Sequence, residues 1–193
     1  AIQLAVLGGV LFGFAAPIAG WLGDKWGATP LMSIYFIGTG AAMTSIGFTN
    51  APWQIMAALG LTGLFASIYH PVGISWLIKN AVNRGTALGI NGIFGGLGPA
   101  IAALTAGTII AFIGWRAVFI IPGVIILITG AAFIYLVSRG AIVDTTEDRA
   151  PTPPATKGDA PRVFAVLAIT MFCTGVIYQA TQAGLPKAFQ IRM

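Results

Sequence analysis

Six apolar runs separated by short polar joints make up nearly the whole of this chain. They cover residues 1–22, 30–49, 52–79, 84–112, 115–137 and 163–185, here spans A to F, and their interiors hold no Asp, Glu, Lys or Arg. Each is near or above the ~20 apolar residues that cross a bilayer. Periodicity says little in such runs. Length, and the need to satisfy every backbone group within the segment, make them helices. The joints agree. Thr29-Pro30 reads as an N-cap followed by Pro at the first helical position, opening span B, and Asn50-Ala51-Pro52 opens span C in the same way. All five Trp residues, 21, 26, 53, 76 and 115, fall at or beside span ends, as an aromatic belt at the membrane–water interfaces would place them.

Composition sharpens this into a class. The 193 residues are 57% hydrophobic and 8% charged, against about 25% charged in a soluble domain. The fold expected is an all-α polytopic membrane protein. The net charge of +5 sits at span ends and is no nucleic-acid footprint. It sets orientation instead: Lys25, Lys79, Arg84, Arg139, Arg149, Lys157 and Arg162 lie on one side, Arg116, Lys187 and Arg192 on the other. The first side is therefore expected to be cytoplasmic. The apolar run begins at Ala1 with no basic region or cleavage site before it, so it does not read as a signal peptide. Cys173 is the lone cysteine, which leaves no disulfide framework.

Between spans E and F runs GAIVDTTEDRAPTPPATKGDAP, with four Pro and mixed charge. It cannot bury a core and reads as a linker. The expected organisation is a helical bundle over 1–138, a cytoplasmic linker over 139–161, and the first helix of a second bundle over 162–193. A shift of 87 residues lays Gly8, Gly9, Ala15, Ala16, Ala19, Gly20 and Gly27 on Gly95, Gly96, Ala102, Ala103, Ala106, Gly107 and Gly114. Span A then overlies D, and B overlies E. An offset of three spans inverts the copies in the membrane, a mark of secondary transporters. A complete first copy requires one further span before Ala1.

Gly20-Trp21-Leu22-Gly23-Asp24-Lys25-Trp26-Gly27 resembles the signature loop of the major facilitator superfamily, Gly-x-Leu-x-Asp-(Arg/Lys)-x-Gly, between that family's second and third helices. The Gly/Pro-rich span D, the GWR that opens span E and the long central linker also resemble it. The resemblance covers the chain as helices two to seven of a twelve-helix family. It implies the family's transporter fold with inverted three-helix repeats, and alternating access. Two departures stand out. Ala28 and Thr29 occupy positions where the family carries basic residues, and span C lacks the Arg found in many proton-coupled members. Gly98-Pro99, with Gly95 one place off the expected spacing, is similar to the family's antiporter motif, which leans toward efflux or antiport.

Several residues carry candidate chemistry. In the signature loop (Gly20, Gly23, Asp24, Lys25, Gly27), the resemblance makes Asp24 a latch that meets the other half of the transporter. The plainer reading is a solvated ion pair that fixes topology, worth only ~0–1 kcal/mol. In span C, Pro71 lacks an N–H and clashes with the carbonyl of Ser67, so a kink is expected. His70 beside it is the one histidine, an ionisable residue inside a span, and Ser67, His70 and Ile74 share a face by spacing. Ser67, Tyr69, His70 and Asn91, with Tyr178, Gln179 and Gln182 of span F, form the candidate substrate cavity. Interhelical hydrogen bonding is the alternative for each. Pro71, Gly95, Gly98 and Pro99 are candidates for bending and close packing. Span E reads as lipid-facing throughout.

The function expected is secondary active transport of a small solute. A non-transporting scaffold or channel is the alternative. An intramembrane enzyme lacks support: there is one His, no His-Glu-x-x-His, no Gly-x-Ser-x-Gly and no acid inside a span. No cofactor or metal is expected, and the coupling ion suggested is H+. The expected partners are a small-molecule solute, the lipid bilayer and the remaining half of the same chain, with no nucleic acid and a monomeric state. The expected location is the plasma (bacterial inner) membrane, as a multi-pass protein.

Overall fold

A computed structural model describes residues 2–144 and 159–192, with the side chains of 2, 3, 100, 159, 160, 178, 179 and 181–192 outside the described set. The chain divides into two units, Ala1–Glu147 and Asp148–Met193. The first contains α1 (Ile2–Trp26), α2 (Ala28–Ile46), α3 (Pro52–Ala66), a π turn (Tyr69–Gly73), α4 (Ile74–Asn80), α5 (Arg84–Phe112) and α6 (Ala117–Ser138). The second contains α7 (Asp159–Arg192). Among the described residues, Leu4–Trp26, Pro52–Asn80, Arg84–Phe112 and Ala117–Ser138 are long and apolar enough to cross a membrane.

Span B, now α2, falls outside that set of four because Ser and Thr interrupt it. Its hydroxyls are largely answered within the helix. Ser33 Oγ donates to Thr29 O (2.9 Å), Thr44 Oγ1 to Gly40 O (2.7 Å) and Ser45 Oγ to Ala42 O (2.7 Å). Such back-bonding lowers the cost of placing a hydroxyl in an apolar environment. In α7, Thr170 and Thr174 do the same, toward Val166 O and Thr170 O at 2.8 Å each.

Glycine decides where helices touch. α1 crosses α3 where Gly8 meets Gly63, and a Cβ on Gly8 would stand 2.7 Å from Leu59 O. α2 and α6 also pack closely, over much of their length. A Cβ on Gly40 would meet Gly123 O at 2.9 Å, and one on Gly123 would meet Thr44 N at 2.7 Å. The expectation that span E faces lipid throughout is therefore wrong on one side: Gly123, Gly130 and Phe133 of α6 are buried. A uniformly apolar helix conceals its packing face because no polar residue marks the other side. The core itself gathers Ala19, Leu31, Met32, Ile68, Val72 and Phe133 from α1, α2, the π-turn region and α6.

The opposite holds in α5. Its side chains are mostly exposed, and a Cβ added at Gly89, Gly92, Gly95, Gly96, Gly98 or Gly107 would meet nothing within 4 Å. The close packing expected of Gly95 and Gly98 is not made among the described residues.

Two joints correct the sequence reading. Helix α1 runs to Trp26, so Asp24 and Lys25 lie in its last turn, and Gly27 alone separates it from α2. Thr29 is the second residue of α2 and is not its N-cap. Gly27 holds that position at φ 84° and, as glycine, has no side chain with which to cap the helix. At span C the cap position falls to Ala51, with Pro52 first in the helix. Gln54 Oε1 accepts from the N–H groups of Asn50 (2.8 Å) and Ala51 (3.0 Å).

Candidate functional site

Span C is where the bundle departs from regular helix. Pro71 cannot donate to Ser67 O, and α3 ends at Ala66 before the chain rewinds through the π turn Tyr69–Gly73. The wider turn shifts the register. Ser67 becomes fully buried and donates its hydroxyl to Leu64 O (2.6 Å), while His70 is exposed. The shared face expected for Ser67 and His70 does not survive this shift.

Around the π turn aromatic rings from several helices adjoin one another. Phe12 of α1 meets His70 edge-on, centroids 5.8 Å apart. His70 meets Tyr69 at 5.7 Å, and Tyr69 meets Tyr35 of α2 at 5.6 Å. Phe36, Phe133 and Trp76 continue the string, with centroid spacings of 4.9 to 5.9 Å. Tyr69 OH donates to Asn91 Oδ1 of α5 at 2.6 Å. Three of the sequence candidates, Tyr69, His70 and Asn91, thus come together. Sequence reasoning missed Tyr35, whose phenol in an otherwise apolar run was the available signal. Trp76, in α4, packs edge-on against Phe133. The side chains of Tyr178, Gln179 and Gln182 lie outside the described residues.

The second candidate is the α1–α2 joint. No ion pair joins Asp24 to Lys25 among the described residues. Lys25 Nζ instead stands over the Trp21 ring, 3.9 Å from its centroid. Asp24 is exposed, and as an anion in the last turn of α1 it opposes the helix dipole. The motif glycines have separate uses. A Cβ on Gly20 would press on Pro71 Cβ (3.3 Å) and one on Gly23 on Val72 Cγ2 (3.0 Å), so both let α1 close on the π turn. At Gly27 two demands coincide: φ is positive, and a Cβ would stand 2.6 Å from Asp144 Oδ2.

Asp144 was not foreseen. It follows α6 in the segment expected to be linker, and Ile142 beside it packs on the core. Asp144 Oδ2 accepts from Thr29 N–H (3.2 Å) and Thr29 Oγ1 (2.8 Å), supplying from 115 residues away the cap that α2 lacks. A carboxylate cap of this kind stabilises a helix by about 1 kcal/mol.

Membrane-length helices, glycine crossings and positive-φ glycines at the α1–α2 and α5–α6 joints, Gly27 and Gly114, define a multi-pass α-helical membrane protein. The chain belongs to the Major Facilitator Superfamily, whose family model matches residues 1–193. It is similar to puromycin resistance protein pur8 of Streptomyces alboniger, 28% identical over 108 residues, which cover 54% of this chain and 22% of that protein. It is also similar to multidrug resistance protein MdtG of Salmonella schwarzengrund (28% over 127 residues, 65% of this chain and 31% of that protein). MdtG of Enterobacter lignolyticus matches over the same length at 26%, covering 65% of this chain and 30% of that protein. The matched stretches are thus under a third of these relatives' length. No solved structure matches the chain.

Proposed function

We propose that this chain is part of a secondary transporter of the plasma membrane that exports a small lipophilic solute by alternating access. The observation that carries the reading is the Phe12–His70–Tyr69–Asn91 group at the π turn. There a titratable ring and a hydrogen-bonded phenol occur in a span otherwise without ionisable chemistry. Aromatic surface with few polar groups suits a lipophilic solute. The puromycin and multidrug resistance named for the relatives supports export. A transporter fits the family better than an enzyme.

In this reading His70 contacts solute or carries the coupling proton. Asp24 faces the cytoplasm, as does the 139–161 linker, and latches the closed state against the remaining half of the chain. The transporter acts as a monomer in the bilayer. The exposed position of Asp24 in the last turn of α1, without an ion pair among the described residues, supports the latch, since its charge opposes the helix dipole there.

The test is efflux of puromycin from a drug-sensitive bacterial host making the full-length protein. His70→Gln is expected to lower efflux about tenfold, about 1.4 kcal/mol of lost stabilisation, at an unchanged membrane level. Wild-type efflux in that variant would remove His70 from the cavity. Absence of efflux by the unmodified protein would overturn the export reading.

A further inference from the structure

α2 and α6 run antiparallel and are tied at both ends. At one end Asp144, just past α6, holds Thr29 at the start of α2. At the other, Arg116 at the start of α6 donates to Thr49 O (3.3 Å) and Asn50 Oδ1 (3.0 Å), just past α2. Residues 29 and 116 differ by 87, the offset of the internal repeat. The two ties stand at opposite ends of the helix pair, but their other partners, Asp144 and Thr49–Asn50, do not follow that offset. Their chemistry differs. The Arg116 tie is exposed at Asn50 and leaves its Gly114 turn open, with nothing within 4 Å of a Cβ there. The Asp144 tie lies directly against Gly27, and Asp144 Oδ1 is buried.

We propose that Asp144 is a positioning residue for the signature segment Gly20–Gly27. By capping α2 across Gly27 it fixes the single-residue joint between α1 and α2, and so sets how Asp24 and Trp26 are presented on that face. The positive φ of Gly27 makes this joint a pivot. Without the carboxylate, Thr29 loses its cap and Gly27 is free to sample other conformations. The positional claim stands on the geometry. Its consequence for transport rests on the latch reading of Asp24.

The experiment uses the full-length protein in inverted membrane vesicles, in a Cys173→Ser background, with Trp26→Cys as reporter and Val82→Cys as control. Trp26 and Val82 are both exposed, on the face expected to be cytoplasmic. Labelling is by a membrane-impermeant maleimide. Asp144→Ala is expected to change the labelling rate at the Trp26 reporter at least about threefold and to leave the Val82 reporter unchanged. Thr29→Val, which removes one of the two bonds, should give a smaller change in the same direction. Asp144→Asn keeps an acceptor oxygen and should stay near the wild-type rate. An unchanged Trp26 reporter overturns the proposal. So does a change of equal size at both reporters, which means general loosening. Puromycin efflux by Asp24→Asn separates the two claims: a reporter shift with normal Asp24→Asn efflux leaves the positioning role standing and removes the latch.

Discussion

Helices α6 and α5 are both glycine-bearing, apolar and consecutive, yet they sit in opposite environments. In α6 two glycines, Gly123 and Gly130, are buried against α2, and the pair is tied at each end by Asp144 and Arg116. In α5 six glycines meet nothing, and Tyr69–Asn91 is the one polar side-chain tie to another described helix that its hydrogen bonds give. Glycine content therefore does not show which helix is packed. What differs is the partner surface. α2 offers Gly40 and Thr44, with Gly47 at its C-cap, in register with α6, and no described helix offers α5 a matching row. This contrast predicts that the α2–α6 pair is the stiff part of the bundle and that α5, tied to the π turn through Tyr69 and Asn91, is its adjustable part.

The largest expected effect tests that contrast directly. Gly123→Ala places a methyl against Thr44 and Gly40 backbone, which cannot give way as a flexible side chain would. Overpacking of this kind costs roughly 1–3 kcal/mol. Gly96→Ala in α5 meets open space and should be neutral or stabilising by about 0.5–1 kcal/mol, through the better helix propensity of Ala. Thermal unfolding of the two variants in detergent gives the comparison. Equal destabilisation would mean that α5 is packed as tightly as α6 in the full-length protein.

Next comes the exposed tie. Arg116→Ala loses the bonds to Thr49 O and Asn50 Oδ1. Screening by solvent limits the loss to about 1 kcal/mol. Its signature is regional: proteolysis or hydrogen exchange should rise in the α2–α3 and α5–α6 joints and leave the π turn unaffected. A rise in the π turn would show that the stiff and adjustable parts are not separate.

Parts of this contrast were legible in the sequence, and the reasons are local. Span D was bounded at 84–112 and α5 is Arg84–Phe112. Its cap, Asn83 Oδ1 accepting from Thr86 N–H at 3.1 Å, lies within four residues. The interruption at Pro71 was equally readable, because proline acts on its own backbone. Span A was ended at 22, four residues short, because Gly20 and Gly23 look like turn residues. They are helical, and their use is the approach of Pro71 and Val72 from another helix. The Thr29 cap failed for the same reason, since its partner stands 115 residues away. At the site, Tyr69, His70 and Asn91 could be named from polarity alone. The ring string that joins them to Tyr35 and Phe12 could not, because it draws on several helices whose relative rotation no short window encodes.

A smaller effect probes the adjustable part. Tyr69→Phe keeps the ring and its stacking and removes only the donor to Asn91 Oδ1. One net hydrogen bond is worth about 0.5–1.5 kcal/mol. If α5 is held to the π turn by this bond, Tyr69→Phe should speed hydrogen exchange in the middle of α5 several-fold and leave α2 and α6 unchanged. No change in α5 would mean that helix-to-helix packing fixes it without the bond, which would weaken its description as adjustable.

The smallest effect expected is at Lys25. Its ammonium lies over Trp21, four residues back on the same helix, so the contact stiffens one turn and ties α1 to nothing else. Lys25→Met keeps the length of the stem and removes the charge. A surface change of this kind usually stays within about 0.5 kcal/mol. It should leave both the unfolding temperature and maleimide labelling of the Trp26 reporter close to wild type, whereas Asp144→Ala shifts the latter. Lys25 and Asp144 both lie close to Gly27, but only Asp144 joins two helices. A Lys25→Met shift as large as that of Asp144→Ala would therefore mean that the joint is held by the last turn of α1 itself, and that the stiffness assigned to the α2–α6 pair does not extend to the signature segment.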